Sequence, residues 1–288
     1  MTNGWALCWS LCSIEGMMLY PDGLMTDDRN APPRKRELLS LLALFVGAFL
    51  VVVWLLNLLV GGLIGMIPPE AERQLGRWII PALEAEAEDS TTQDRLNDLL
   101  DRLEAELPPE QAAVHDYQLL YIPDETVNAA AVPGDVILVY QGLLAEMESE
   151  NELMMVLGHE LGHFANRDHL RGLGREMTLR LAIAIFLGDA SALQSLSGRI
   201  LNQVGSSRFS QTQETQADEF GLTLLDRTYG HVAGATDFFA RLAETPGANV
   251  QFLASHPAPG KRVKDIKALI QQNGYTLGQK VPLDLDLE

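Results

Sequence analysis

Residues 150–165 read ENELMMVLGHELGHFA, and this stretch decides the fold. Its apolar residues Leu153, Val156, Leu157, Leu161 and Phe164 recur at a helical period, which predicts an α-helix. Ser149 is placed to cap that helix, with Glu152 three residues on as in a capping box. Glu148, Glu150 and Glu152 suit the positive end of its dipole. His159 and His163 stand four apart, so both imidazoles lie on one face and can reach one tetrahedral Zn²⁺. Glu160, beside the first histidine, can take a proton from a metal-bound water. Such residues at such spacing point to metal-assisted hydrolysis, most often of a peptide bond. The pattern HExxH also arises by chance, so its helical context carries weight: a mostly apolar face needs a reason to hold two histidines and a glutamate.

A site of this kind needs a third protein ligand and an open position for water. Glu214 is the candidate, within a predicted helix from Thr212 to Leu225. Asp218, one turn on, can accept a hydrogen bond from the far nitrogen of a ligand histidine and fix its tautomer. Taken alone, both residues equally fit the acidic start of a solvated helix. Upstream, Tyr117–Ile122, Val127–Val132 and Val136–Tyr140 are strand-prone, and Pro133-Gly134-Asp135 predicts a turn between the last two. The expected fold is mainly α with a small β-sheet, an α+β arrangement.

HELGH followed by Glu-x-x-Ala-Asp resembles the HtpX and CAAX-prenyl-protease type of membrane-linked zinc metallopeptidase. That group of gluzincins includes Oma-type mitochondrial and BepA-like periplasmic proteases. The resemblance spans roughly Tyr117 to Ile270. Asn128–Asp135 is similar to the family's Asn-Ala-x-x-x-Pro-Gly segment, and Ser255-His256-Pro257 with Arg262 to its Ser-His-Pro-x-x-x-x-Arg segment. Arg208 through Asp218 matches loosely at the arginine, and Ala130 stands where relatives often carry a bulkier residue. The resemblance implies a zincin-like metalloprotease domain, one Zn²⁺ per chain and a protein or peptide substrate. It implies His159, His163 and Glu214 as ligands and Glu160 as general base. The oxyanion needs a further donor, with His256 the first candidate and Arg262 the second. His256 has a competing role, closing the open metal position in a resting state, and an ordinary loop histidine is its plain alternative. Asn128, Ala129, Ala130, Ala131 and Val132 form the candidate edge strand for substrate. His115, His169 and His231 lack this spacing logic and are expected to be structural or surface residues.

Leu38 to Ile67 holds no charged residue and exceeds the ~20 apolar residues that cross a bilayer, which predicts one uncleaved signal anchor. Arg29, Arg34, Lys35 and Arg36 precede it, so the N-terminus is expected in the cytoplasm. The protease domain is then periplasmic or extracellular, with the mitochondrial inner membrane as the alternative. A second apolar stretch, Leu179 to Leu187, is too short to span and is expected in the core or against the membrane surface. Cys8 and Cys12 fall on the cytoplasmic side, so no disulfide is expected, and with no further cysteine the zinc site is not of the thiolate type. Leu96, Leu99, Leu100, Leu103 and Leu107 form a helical stripe. It is expected to pack on the catalytic domain, with a homo-oligomer or partner contact through residues 91–107 as the sharper alternative. The expected organisation is 1–37 cytoplasmic, 38–67 transmembrane, 68–110 helical linker, 111–275 protease and 276–288 an irregular tail. A net charge of -18 and a pI near 4.7 argue against nucleic acid, which needs a basic face. Beside the enzyme stands a second class, a zinc-stabilised chaperone-like or protein-binding module with little proteolysis.

Overall fold

The computed structural model describes residues 34–187, 208–244 and 250–285, so Cys8 and Cys12 lie outside the described residues. The chain divides into two units, Met1–Gly47 and Ala48–Glu288. Residues 35–47 of the first are helical and almost wholly exposed. They open α1, Lys35–Ile64, the one described helix long and apolar enough to cross a membrane. Its 30 residues make about 45 Å of helix against a hydrocarbon core of about 30 Å.

The second unit begins with the rest of α1 and continues through α2 (Pro69–Glu84), α3 (Thr91–Glu104) and the single turn α4 (Pro109–Ala112). Three strands follow, β1 (Gln118–Ile122), β2 (Ala129–Val132) and β3 (Val136–Tyr140), in the spatial order β1-β3-β2. β3 pairs in parallel with β1 and antiparallel with β2, in a register that sets Ala131 opposite Ile137. The expected hairpin is therefore present, and β2 is a sheet edge. Its turn holds Gly134 and Asp135 at φ 101° and 66°, left-handed values that Gly and Asp tolerate best.

Strand alternation gives the sheet two apolar faces. Leu119, Tyr121, Ala129, Ala131, Ile137 and Val139 enter the main core, while Leu120, Ile122, Val132, Val136 and Leu138 pack under Ile79 and Leu83 of α2. The stripe Leu96, Leu99, Leu100, Leu103 and Leu107 is buried in that main core, so it packs on the domain as expected and leaves the alternative, a partner contact, no open apolar stripe.

Beyond the sheet come α5 (Gln141–Ala145), α6 (Glu150–Ala165), α7 (Asp168–Leu187), α8 (Gln211–Tyr229), α9 (Asp237–Glu244), α10 (Val250–Ser255) and α11 (Pro259–Asn273). Ser149 caps α6 by accepting from Glu152 N. Arg167, between α6 and α7, donates to the carbonyls of Ile64 at 2.9 Å and Ile67 at 2.6 Å. From there α7 runs back along α1, with Gly174 against Val60 and Ile64, and Phe186 edge-on to Phe49 at 5.2 Å. The apolar stretch expected in the core or on a membrane surface is thus the second half of α7, laid beside α1. The tail from Tyr275 to Leu285 is irregular, as expected, yet tied down. Val281 exchanges bonds with the start of α6, accepting from Glu150 N at 2.9 Å and donating to Asn151 Oδ1 at 2.7 Å.

The closest helix pair is α6 and α8. Gly162 of α6 sits so near Ala217 of α8 that an added Cβ would meet the Ala217 Cα at 2.7 Å. One turn away, Gly158 faces Gly221, where an added Cβ would come within 3.0 Å of the facing backbone. Four small residues at i, i+4 spacing form a seam that lets the two backbones touch. Gly162→Ala is expected to force them apart, costing about 1–3 kcal/mol as core overpacking does. Thermal unfolding and metal titration of the variant check this; an unchanged midpoint with unchanged zinc affinity would show the seam to be slack.

Candidate metal centre

α6 presents His159 and His163 from one face, and the seam brings Glu214 of α8 against them. His256, at the end of α10, completes a buried group whose donor atoms all lie within 4.8 Å of one another. The Nε2 atoms of His159 and His163 stand 3.1 Å apart, and Glu214 oxygens lie 3.7 Å from each. Two ring nitrogens that both point lone pairs at one spot repel unless a proton or cation lies between them. Zn–N and Zn–O bonds of 2.0–2.2 Å give a tetrahedron with edges of about 3.4 Å, so these three donors fit a zinc ion. His256 Nδ1, at 3.2 Å from His159 Nε2 and 3.2 Å from Glu214 Oε1, is close enough to offer a fourth donor.

The far nitrogens are fixed by carboxylates. His159 Nδ1 lies 2.9 Å from Asp218 Oδ1, and His163 Nδ1 lies 3.0 Å from Asp168 Oδ2. Each ring can donate there and turn a lone pair on Nε2 inward, as metal-ligating histidines do. Arg262 approaches His159 Nδ1 at 3.0 Å, a contact that is electrostatic once that nitrogen donates to Asp218. The guanidinium's hydrogen bonds go to both Asp218 oxygens, and it forms an ion pair with Glu214 Oε2 at 3.0 Å. The Phe239 ring lies under it, 4.0 Å from Cζ.

Burial and the nearby Arg262 and His163 charges hold the His159 pKa well below the ordinary value, which keeps the ring neutral for coordination. Burial pushes His163 the same way, but its bond to Asp168 and the charges of Glu160 and Glu214 outweigh it and raise the pKa. Burial would raise Glu214; the His256 and Arg262 charges override it and hold the carboxyl at about 2.

Glu160 is fully buried, and its Oε2 accepts from the amide of Ala131 at 3.0 Å. Its Oε1 has no hydrogen-bond partner among the described residues and lies 3.6 Å from His256 Nε2. The structure thus gathers His159, Glu160, His163, Glu214, Asp218, His256 and Arg262 in one place. It sets β2 beside them, with the Ala131 amide turned away from β3 toward Glu160. Asn128, just before β2, is buried and its Oδ1 is unpartnered among the described residues. His115 bonds Asp135, and His169 is buried against Glu72, both apart from this centre.

Three contributors escaped the sequence pattern. Asp168 stands five residues after His163, past the helix end, where only its nearness in sequence offered a signal. Gln213 donates to Asp168 Oδ1 at 2.5 Å while completing the capping box with Ser210. Phe209 stacks on His163 with ring centres 3.8 Å apart, a contact that no local pattern announces.

Comparison with known proteins adds an independent line. The family model of peptidase family M48 matches residues 86–270. The chain is 33% identical over 153 residues to the metalloprotease LoiP of Escherichia coli K12, covering 51% of this chain and 60% of LoiP. It is 34% identical over 146 residues to the metalloprotease YcaL of the same organism, covering 49% and 57%. With the mitochondrial metalloendopeptidase OMA1 of Schizosaccharomyces pombe the identity is 30% over 156 residues, covering 52% and 46%. The chain therefore spans about half the length of these relatives.

Asp168→Ala is expected to weaken zinc binding by about 10–100-fold, the usual cost of removing a carboxylate behind a ligand histidine. Competition against a chelator measures it; an unaltered affinity would mean that Asp168 serves packing alone.

Proposed function

The chain belongs to peptidase family M48, and from that premise we propose that it is a membrane-anchored zinc-dependent metalloendopeptidase. One observation carries the proposal: Glu160 is buried, with an Oε1 that has no hydrogen-bond partner among the described residues, beside the point where three candidate metal donors converge. Its Oε2 ties the carboxylate to β2 through the Ala131 amide, and Oε1 is the oxygen left for a proton. His159, His163 and Glu214 would hold the ion. Zinc, when bound, polarises a peptide carbonyl and brings the pKa of a water to about 7. Glu160 then takes the water proton at Oε1 and returns it to the leaving amine. Asp218 and Asp168 hold the two imidazoles in the ligating tautomer, and Arg262 locks Asp218. His256 donates to the developing oxyanion, with Arg262 behind it.

The edge of β2 supports a substrate strand. Because Ala131 N–H already points to Glu160, an extended peptide laid along residues Asn128–Val132 would meet its main-chain groups next to the carboxylate. Backbone pairing of this kind aligns a peptide with little dependence on its sequence.

His256 has a second role that its position favours. With Nδ1 close enough to offer a fourth donor, it closes the site against water until it swings out, a resting state of the same enzyme. A closed four-donor site is also what a zinc-stabilised binding module would use.

α1 supports an anchored location, with the N-terminus cytoplasmic and the protease domain in the periplasm, or the equivalent side of the mitochondrial inner membrane. Relatives named as beta-barrel assembly-enhancing proteases of Vibrio cholerae and Yersinia pestis fit a role in envelope protein quality control, with membrane or envelope proteins as substrates.

The test is Glu160→Gln in the full chain, purified in detergent. One zinc per chain in both forms is expected, with casein cleavage falling at least about 100-fold in the variant, as removal of a general base does. Equal biological activity of the two forms in cells would favour the binding module. Zinc in both and cleavage in neither would make His256→Ala the next protein, which should cleave if the site was merely closed.

A further inference from the structure

Where α1 ends, its last two turns and the first half of α7 line an open cavity of about 540 Å³ bordered by Asn57, Val60, Gly61, Ile64, Arg171 and Arg175. It shares no lining residue with the metal centre, to which Arg175 connects only through Gln213 and Asp168, and it has the size of a small-ligand site. Arg171 and Arg175 stand four apart on α7, so both guanidinium groups serve one face. Among the described residues Arg171 has no ion-pair partner, and Arg175 makes one neutral bond, to Gln213 Oε1 at 3.2 Å. Two exposed cations over one cavity, with no carboxylate among its described lining residues, suit an anion. Guanidinium forks match the paired oxygens of phosphates and carboxylates alike.

The depth of the cavity selects among phosphates. Asn57 and Gly61 belong to the apolar helix itself, and Leu58, Leu59 and Leu63 on the same turns are exposed. A free phosphate has no use for that apolar flank, whereas the acyl chains of a lipid would cover it. Asn57 spends its amide on the Val53 carbonyl at 2.9 Å, which leaves Oδ1 as an acceptor for a headgroup hydroxyl. Gly61 keeps the mouth open, since an added Cβ there would meet nothing within 4 Å.

We propose that this cavity binds the headgroup phosphate of an anionic phospholipid, with Arg171 and Arg175 as the phosphate ligands and Asn57 accepting from the glycerol hydroxyl. This rests on the anchored reading of α1 and not on peptide cleavage.

The full chain, delipidated in neutral detergent, is titrated with phosphatidylglycerol, phosphatidylcholine or inorganic phosphate while its thermal unfolding midpoint is followed. Phosphatidylglycerol is expected to raise the midpoint by several degrees, with little change from the other two. Arg171→Gln and Arg175→Gln should each weaken the apparent affinity about fivefold, the usual worth of one basic residue at an anionic membrane surface. Arg77→Gln, a basic change outside the cavity, should not. Gly61→Leu should abolish the shift by filling the cavity while keeping every charge. Equal shifts from phosphatidylcholine, an equal shift from inorganic phosphate, survival of the shift in Gly61→Leu, or an equal loss in Arg77→Gln would each overturn the site. Co-sedimentation with phosphatidylcholine vesicles separates the two levels: a chain that stays in solution overturns anchor and site together, and one that sediments without the phosphatidylglycerol shift overturns the site alone.

Discussion

The contact between Gly162 and Ala217 sets the distance on which the rest of the molecule depends. Two helices packed through ordinary side chains sit 8–10 Å apart. Here Gly158, Gly162, Ala217 and Gly221 remove the side chains from the contact line, and the backbones close on each other. His159 and His163 then flank the seam from one helix, Glu214 and Asp218 from the other. Any wider spacing would leave Glu214 short of the imidazoles. The glycine in HELGH thus has a role as specific as that of the histidines, although it touches no ligand.

Such closeness concentrates charge. Glu160, Glu214, Asp218, Asp168 and Arg262 are all buried together with three histidines. Isolated, each charge would cost several kcal/mol to desolvate. Arg262 offsets part of that by serving two carboxylates at once, and Asp168 and Asp218 each hold an imidazole. Carboxylates and imidazoles converge on one point, so a cation there supplies what the protein lacks. A metal bound there would add its binding free energy to that of folding, as at other sites whose ligands are assembled only by the fold. The capping box at Ser210 and Gln213 belongs to the same device, because Gln213 starts the helix that carries Glu214 and also orients Asp168.

Local periodicity made some of this legible and left some hidden. His159, Glu160 and His163 follow from helical spacing, and Ser149 from cap chemistry, because both are properties of neighbouring residues. The hairpin of β2 and β3 was readable from Pro133-Gly134-Asp135; the parallel pairing of β1 was not, since nothing local says which strand lies between the other two. Glu214 gained its place through its match to a second motif, and no periodicity would have picked it from the acidic residues around it. Phe209 and Asp168 depend on how distant segments meet. The leucine stripe of α3 shows the converse limit: a pattern announces that a face will be buried and is silent about what buries it. Leu179–Leu187 was judged by its length and by Arg180 within it, whereas its surroundings are decided by the antiparallel course of α7 along α1.

Arg167 joins two parts of the chain that sequence keeps a hundred residues apart. It stands four positions after His163, and its guanidinium closes the C-terminal end of α1. The segment that follows His163 is therefore fastened to the C-terminal end of α1, with no slack tether between them. A tool fixed in this way measures before it reads. Were α1 to cross a bilayer, such a mount would sort peptide bonds by their height over it before it sorted them by side chain.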